Sequence, residues 1–208
     1  MKTSLLAIFA TLTAASLLRG QEPQAISSDE LAKATDLLMA ANARLGAVPL
    51  KLELTPDRAV GFKIGDVGAI LIPDKRLRAE KRDKAARKDK GAVQPVGQLW
   101  MAKLSPKSGD SVVSNDKLRL VKVASGEKEL ELAVFSLGIE KAGKKGFQLT
   151  FYSQDNSAVV RVPLTAAKAK GAAPVTLSAR RSGEDSGTLE LNILGRFTAE
   201  IPVGKRAE

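Results

Sequence analysis

Alternating apolar and polar residues predict a mainly β protein: an antiparallel β-sandwich, or a partly closed barrel, with one N-terminal amphipathic helix and a charged helix or loop insertion. Three observations lead there. Beyond residue 50 the apolar residues recur at every second position in about eleven short runs. Clusters of Gly, Pro, Asn, Asp and Ser separate the runs at roughly 8 to 12 residues, the turn spacing of sandwiches and barrels. Alternation gives each sheet one apolar face, and two such faces bury each other most simply as two packed layers.

Residues 1–20, MKTSLLAIFATLTAASLLRG, have the layout of a secretory signal peptide. Lys2 supplies the positive start, and residues 4–18 form an uncharged, largely apolar run of fifteen. A membrane span needs about 20 apolar residues, so an uncleaved anchor is the lesser alternative, with a buried N-terminal helix. Cleavage after Gly20 leaves 188 residues, although Leu18 is large for the third position before the cut, and Ala15 or Ser16 offer other sites. The chain has no Cys, hence no lipid-acceptor thiol and no disulfide, so an exported domain must rest on its core alone. The expected location is periplasmic or extracellular, and no later segment has the length and apolarity of a transmembrane helix.

Residues 21–46 hold the helix. Ser27 and Glu30 have capping-box spacing, Leu31, Ala34, Leu38, Ala41 and Leu45 recur at three and four, and Gly46 offers a stop. Its polar face lacks dense Lys and Arg, which favours packing on the protein's own sheet over docking to a membrane. Residues 47–73 read as a three-strand meander: Leu50, Leu52, Leu54; then Val60, Phe62, Ile64; then a run ending at Pro73. Residues 74–95 are the basic segment, and residues 96–208 the sandwich body, with 47–208 forming one domain.

In the body, residues 96–104 read as a strand containing Trp100, and residues 105–116 as a loop. A change of phase from Leu118 and Leu120 to Val121 and Val123 suggests a bulge. Leu130, Leu132 and Val134 share one face, while Leu137 and Ile139 take the other. Phe147, Leu149 and Phe151 oppose Gln148, Thr150 and Tyr152. Val160, Val162 and Leu164, then Val175, Leu177 and Ala179, then Leu189, Leu191 and Ile193, and last Phe197, Ala199, Ile201 and Val203 complete the strands.

Residues 74–91, DKRLRAEKRDKAARKDKG, carry nine Lys and Arg against four Asp and Glu, within a whole-chain net charge of +10. The stretch has good helix formers and oppositely charged pairs four apart, such as Glu80 with Lys84, but little apolar surface. It reads first as a solvated helix or loop, and second as an attachment to an acidic envelope component or protein through Lys81, Arg82, Lys84, Arg87 and Lys88. Nucleic acid is disfavoured, because base stacking needs aromatics and this stretch has none. Lys141, Lys144, Lys145, Lys168, Lys170, Lys205 and Arg206 extend the basic character to other turns.

The chain contains no His, which removes imidazole-based triads and, with no Cys, His/Cys zinc sites. No Walker loop or GxGxxG motif is present, and the sequence implies no cofactor, metal site or catalytic residue. Paired carboxylates are the remaining chemical option, from Asp66, Asp110, Asp116, Asp155, Glu184 and Asp185, each in a turn where backbone geometry already favours acids. Of the single Trp and single Tyr, Trp100 is the core candidate and Tyr152 the exposed, ligand-binding candidate. The functional expectation is an exported, non-enzymatic binding or scaffolding protein of the cell envelope favouring an acidic partner or surface. The alternative is a carboxylate-dependent hydrolase of polysaccharide or peptidoglycan. A small apolar ligand between the sheets would require a cavity of several hundred Å3.

Overall fold

The computed structural model describes residues 22–46, 50–77, 93–125, 128–143, 146–154, 157–167 and 173–207. Two antiparallel sheets pack face to face, and one helix lies on the outer face of the larger sheet. This is the expected sandwich, and no closed barrel forms among the described residues.

The larger sheet begins with β1 (Gln24–Ala25), follows with β2 (Val60–Ile64), β3 (Val67–Pro73) and β4 (Gln94–Ala102), and continues through β8 (Lys128–Ala142), β9 (Gly146–Tyr152) and β10 (Ala158–Pro163). One more strand, β7 (Arg119–Ser125), joins the edge of β8 that β9 also uses. The smaller sheet runs β12 (Val175–Arg181), β13 (Ser186–Ile193), β14 (Phe197–Lys205), β5 (Leu104–Ser108) and β6 (Ser111–Val112), with β11 (Thr165–Ala166) beside β14.

Alternation sorts the side chains of β8 onto two buried faces. Ala133, Phe135, Leu137 and Ile139 enter the core between the sheets, where the Phe135 and Phe151 rings meet edge to face at 5.7 Å. Leu130, Leu132 and Val134 point the other way, towards the helix α1 (Ser28–Asn42). Ala34, Leu38 and Ala41 of α1 close on them together with Ile70, Ile72 and the fully buried Trp100. Capping-box contacts from Ser27 to Glu30 start the helix, and Glu30 also pairs with Lys63 of β2 at 2.9 Å. A buried polar chain fixes the far end: Trp100 Nε1 donates to Gln98 Oε1, and Gln98 Nε2 donates to Asn42 Oδ1.

Several local expectations change. The helix ends at Asn42, and Arg44 and Leu45 tighten its last turn by donating to Ala41 and Asn42, so Gly46 is not the stop. Residues 50–54 form no strand: only Leu54 bridges to Asp74, because that backbone is bonded around the Asp74 side chain. Residues 96–104 are not one strand. Lys103, at φ 54°, breaks the run and carries the chain from β4 in one sheet to β5 in the other. Residues 105–116, expected as a loop, contain most of β5 and all of β6. No register shift occurs between β7 and β8, so the bulge is absent. Leu118 and Leu120 pack between the sheets while Val121 and Val123 pack under the helix, and two buried faces produce the change of phase. The register shifts that do occur lie at Pro95/Gly97 and Ala158/Val160. At Gly97 an added Cβ would sit 2.4 Å from the Ile72 carbonyl oxygen, so only glycine fits that close approach.

The helix layer should be energetically coupled to the sandwich. Leu38→Ala is expected to lower unfolding stability by about 2 to 5 kcal/mol, read from urea transitions followed by Trp100 fluorescence. A loss below about 0.5 kcal/mol would mean that the helix contributes little.

Candidate functional site

Of the six ligand-binding residues expected from the sequence, Lys81, Arg82, Lys84, Arg87 and Lys88 lie outside the described residues. What the structure describes is the root from which their segment leaves. Asp74, with its side chain fully buried, follows directly on β3. Its carboxylate accepts from the backbone N–H of Glu53 (2.8 Å) and of Arg76 (2.9 Å), and from the Arg76 guanidinium (2.8 Å). The same guanidinium donates to the Lys51 carbonyl, and Lys75 pairs with Glu53. Leu77, 1% exposed, then enters the core between the sheets. Burial alone would raise the Asp74 pKa; the bonds from Arg76 and from the Glu53 and Arg76 amides outweigh it and hold the group below its usual 3.8.

Tyr152 stands on the polar side of β9, as alternation required, but it is half-buried and its hydroxyl is engaged. The register of β8 with β9 sets Glu140 opposite Gln148, and positions 148, 150 and 152 share one face. Tyr152 O–H donates to Glu140 Oε1, while Thr150 Oγ1 (2.9 Å) and Gln148 Nε2 (3.2 Å) donate to Oε2. Burial pushes the phenol up, and the adjacent Glu140 carboxylate raises it further, to about 12. Burial would raise Glu140 as well, but the Tyr152, Thr150 and Gln148 donors, with Arg161 nearby, leave it lowered. A carboxylate saturated with donors and held ionised is a poor proton donor and a weak base, so the cluster serves chiefly to orient side chains. Glu140 was invisible as a centre in the sequence because cross-strand register, and not spacing, brings its three partners to it.

A cleft opens at the end of the sandwich where β2 turns into β3 and β12 into β13. Its floor is apolar (Phe62, Ile64, Val67, Leu104, Leu189 and Val203) and its rim carries Asp66, Arg180, Arg181, Glu184, Asp185 and Lys205. Three of the six candidate carboxylates thus meet at one opening; Asp110 and Asp116 are not in its lining, and Asp155 is outside the described residues. Asp66 pairs with Lys103 at 2.8 Å, Arg180 pairs with Glu200 at 2.8 Å, and Arg181 folds back on the carbonyls of Gly183 and Glu184. The cavity is about 90 Å3, below the roughly 300 Å3 of a small-molecule site, so this cleft has no room for a small apolar ligand. Among the described residues no cluster of three or more acids could hold a metal ion, and no helix is long and apolar enough to cross a membrane.

Compared with protein-family models, with curated proteins and with solved structures, the chain matches none.

The clamp at Asp74 should be a pH-dependent brace. A folded-state pKa below the unfolded value contributes stability that is present above about pH 4 and is lost as pH falls through the folded pKa. Asp74→Ala is expected to cost about 1 to 3 kcal/mol near pH 7. The gap from wild type should close at lower pH in urea melts repeated down the pH scale; a gap constant with pH would show that the carboxylate's charge is immaterial.

Proposed function

We propose that this chain is an exported, non-enzymatic binding or scaffolding protein of the cell envelope that recognises an acidic partner or surface. The observation that carries the reading is the built root of the basic segment. A buried carboxylate, a four-donor clamp and a core leucine fix residues 74–77, and residues 78–90 then bring seven Lys and Arg against three Asp and Glu. Anchoring at the base limits where a charged segment can reach, which favours a defined attachment over a free tail. A signal-peptide layout and a net charge of +10 are in keeping with a cationic protein meeting the anionic polymers and lipids of an envelope.

Replacing Lys81, Arg82, Lys84, Arg87 and Lys88 by Gln should release the mature protein from isolated envelopes at lower salt than wild type. Wild-type retention itself should fall as salt rises, because screening weakens exposed charge contacts. Retention that ignores both salt and substitution would remove the acidic partner.

One observation favours a second reading, the hydrolase: Asp66, Glu184 and Asp185 face the same cleft. An acid–base pair would lose at least about 100-fold in turnover when either member is neutralised. Release of soluble fragments from peptidoglycan or envelope polysaccharide, abolished by Asp66→Asn or Glu184→Gln, would support it. No release, or release indifferent to both substitutions, would exclude that pair.

A further inference from the structure

The two ends of the sandwich differ in charge. At the end where β3 stops and β4 begins, several connections converge. Pro73 pairs with Gly97 and Gln94 with Ile139, so the β3–β4 connection leaves from and returns to this end. The β8–β9 hairpin tip lies just beyond, closed by Ala142 opposite Gly146. The chain passes from β10 to β12 here as well: Leu164 N–H donates to Phe147, Ala167 N–H to Arg196, and Leu194 N–H to Pro174. The described residues of these other turns, 141–143, 146–147, 164–167, 173–176 and 193–199, contain no Asp or Glu, whereas they carry Lys141 and Arg196. Acids flanking this end are engaged locally: Glu53 with Lys75, Asp74 with Arg76, and Glu140 with the Tyr152, Thr150 and Gln148 side chains.

Beside Lys141 and Arg196 stands Phe147, 39% exposed, whose ring lies 5.6 Å from that of Phe197. The pair joins β9 of one sheet to β14 of the other, so Phe147 is held on a braced strand pair. Lys141, directly opposite Phe147 in the ladder, and Arg196, just before Phe197, are both exposed. An acidic polymer would be held chiefly by the cations. An anionic bilayer takes the cations on its phosphates and the aromatic ring among its headgroups.

We propose that this end of the sandwich docks on an anionic lipid bilayer, with Phe147 entering the interface and Lys141 and Arg196 lying against lipid phosphates. The inference rests on the acidic-surface reading and names the surface. The mature chain, recovered from its own compartment, is mixed with vesicles of phosphatidylglycerol and phosphatidylcholine, or of phosphatidylcholine alone, and the pelleted fraction is measured. Binding should require phosphatidylglycerol. Removing each cation should weaken it by about fivefold, so Lys141→Gln with Arg196→Gln should lose at least about tenfold. Phe147→Ser, at unchanged charge, should lose several-fold, and Lys205→Gln at the opposite end should change little; thermal melts confirm that each variant is folded.

Equal binding to both vesicle types would overturn the proposal. So would a Phe147→Ser variant that binds as wild type, which would point to charge alone, as with an acidic polysaccharide. A chain that ignores vesicles yet stays on isolated envelopes in a salt-sensitive way would end the lipid inference while leaving the acidic partner standing. Salt-insensitive retention on envelopes would end both.

Discussion

The structure depends on a sheet that must bury both of its faces. In an ordinary two-layer sandwich each sheet keeps one face in water. Here β3 and β4 are apolar on both sides, β7 and the first half of β8 turn Val121, Val123, Leu130, Leu132 and Val134 towards the helix, and Ile70, Ile72, Trp100, Leu132 and Val134 would be exposed without α1. The helix is therefore a third layer. Its placement is fixed at both ends, by Glu30 on Lys63 and by Asn42 on Gln98. The chain has no Cys and so no disulfide, and two cores sharing one sheet provide more burial than a single interface would.

A second constraint follows from strands that change partners along their length. β8 pairs with β7 over its first half and β9 over its second, on the same edge. Between them lies a gap in the ladder, and buried Ser153 fills it: its hydroxyl accepts from Arg119 N–H at 2.7 Å and donates to the Val134 carbonyl at 3.3 Å. Asp74 performs a related service where residues 50–54 run beside β3 without joining it. Arg206, after β14 ends, reaches Glu131 of β8 with a 2.8 Å ion pair and ties the C-terminal segment of the smaller sheet to the larger. Buried polar side chains thus sit where backbone pairing changes hands, as the cost of unbonded buried amides requires.

What the sequence made legible was burial, and what it hid was pairing. Leu189, Leu191 and Ile193, or Phe197 to Val203, alternate because they line one core, and their strands follow directly. Leu50, Leu52 and Leu54 alternate equally well, yet this stretch makes a single bridge, Leu54 to Asp74, and bonds Lys51 O and Glu53 N–H to the Arg76 and Asp74 side chains. Periodicity reports which way side chains face, and it cannot report where N–H and C=O groups go. The same limit accounts for Lys103, where a left-handed residue moves the chain between sheets inside an unbroken apolar run. For the candidate sites, Tyr152 was placed correctly on its polar face, but its engagement by Glu140 depends on register. Asp74 accepts from Glu53, twenty-one residues upstream, a bond that no local spacing announces.

These constraints bear on how a chain with so little catalytic vocabulary can still be specific. A sandwich braced at every change of partner presents its turns from fixed positions, so charges scattered through the sequence are collected by topology. Lys141 and Arg196 are far apart along the chain, yet β8–β9 and β13–β14 turn at one end. The opposite end mixes Asp66, Glu184 and Asp185 with Arg180, Arg181 and Lys205. Ends that differ in their charged groups would meet a charged surface differently. Recognition of that kind needs rigidity and polarity in place of a deep pocket, and rigidity is what the helix layer, the Ser153 junction and the Asp74 clamp supply.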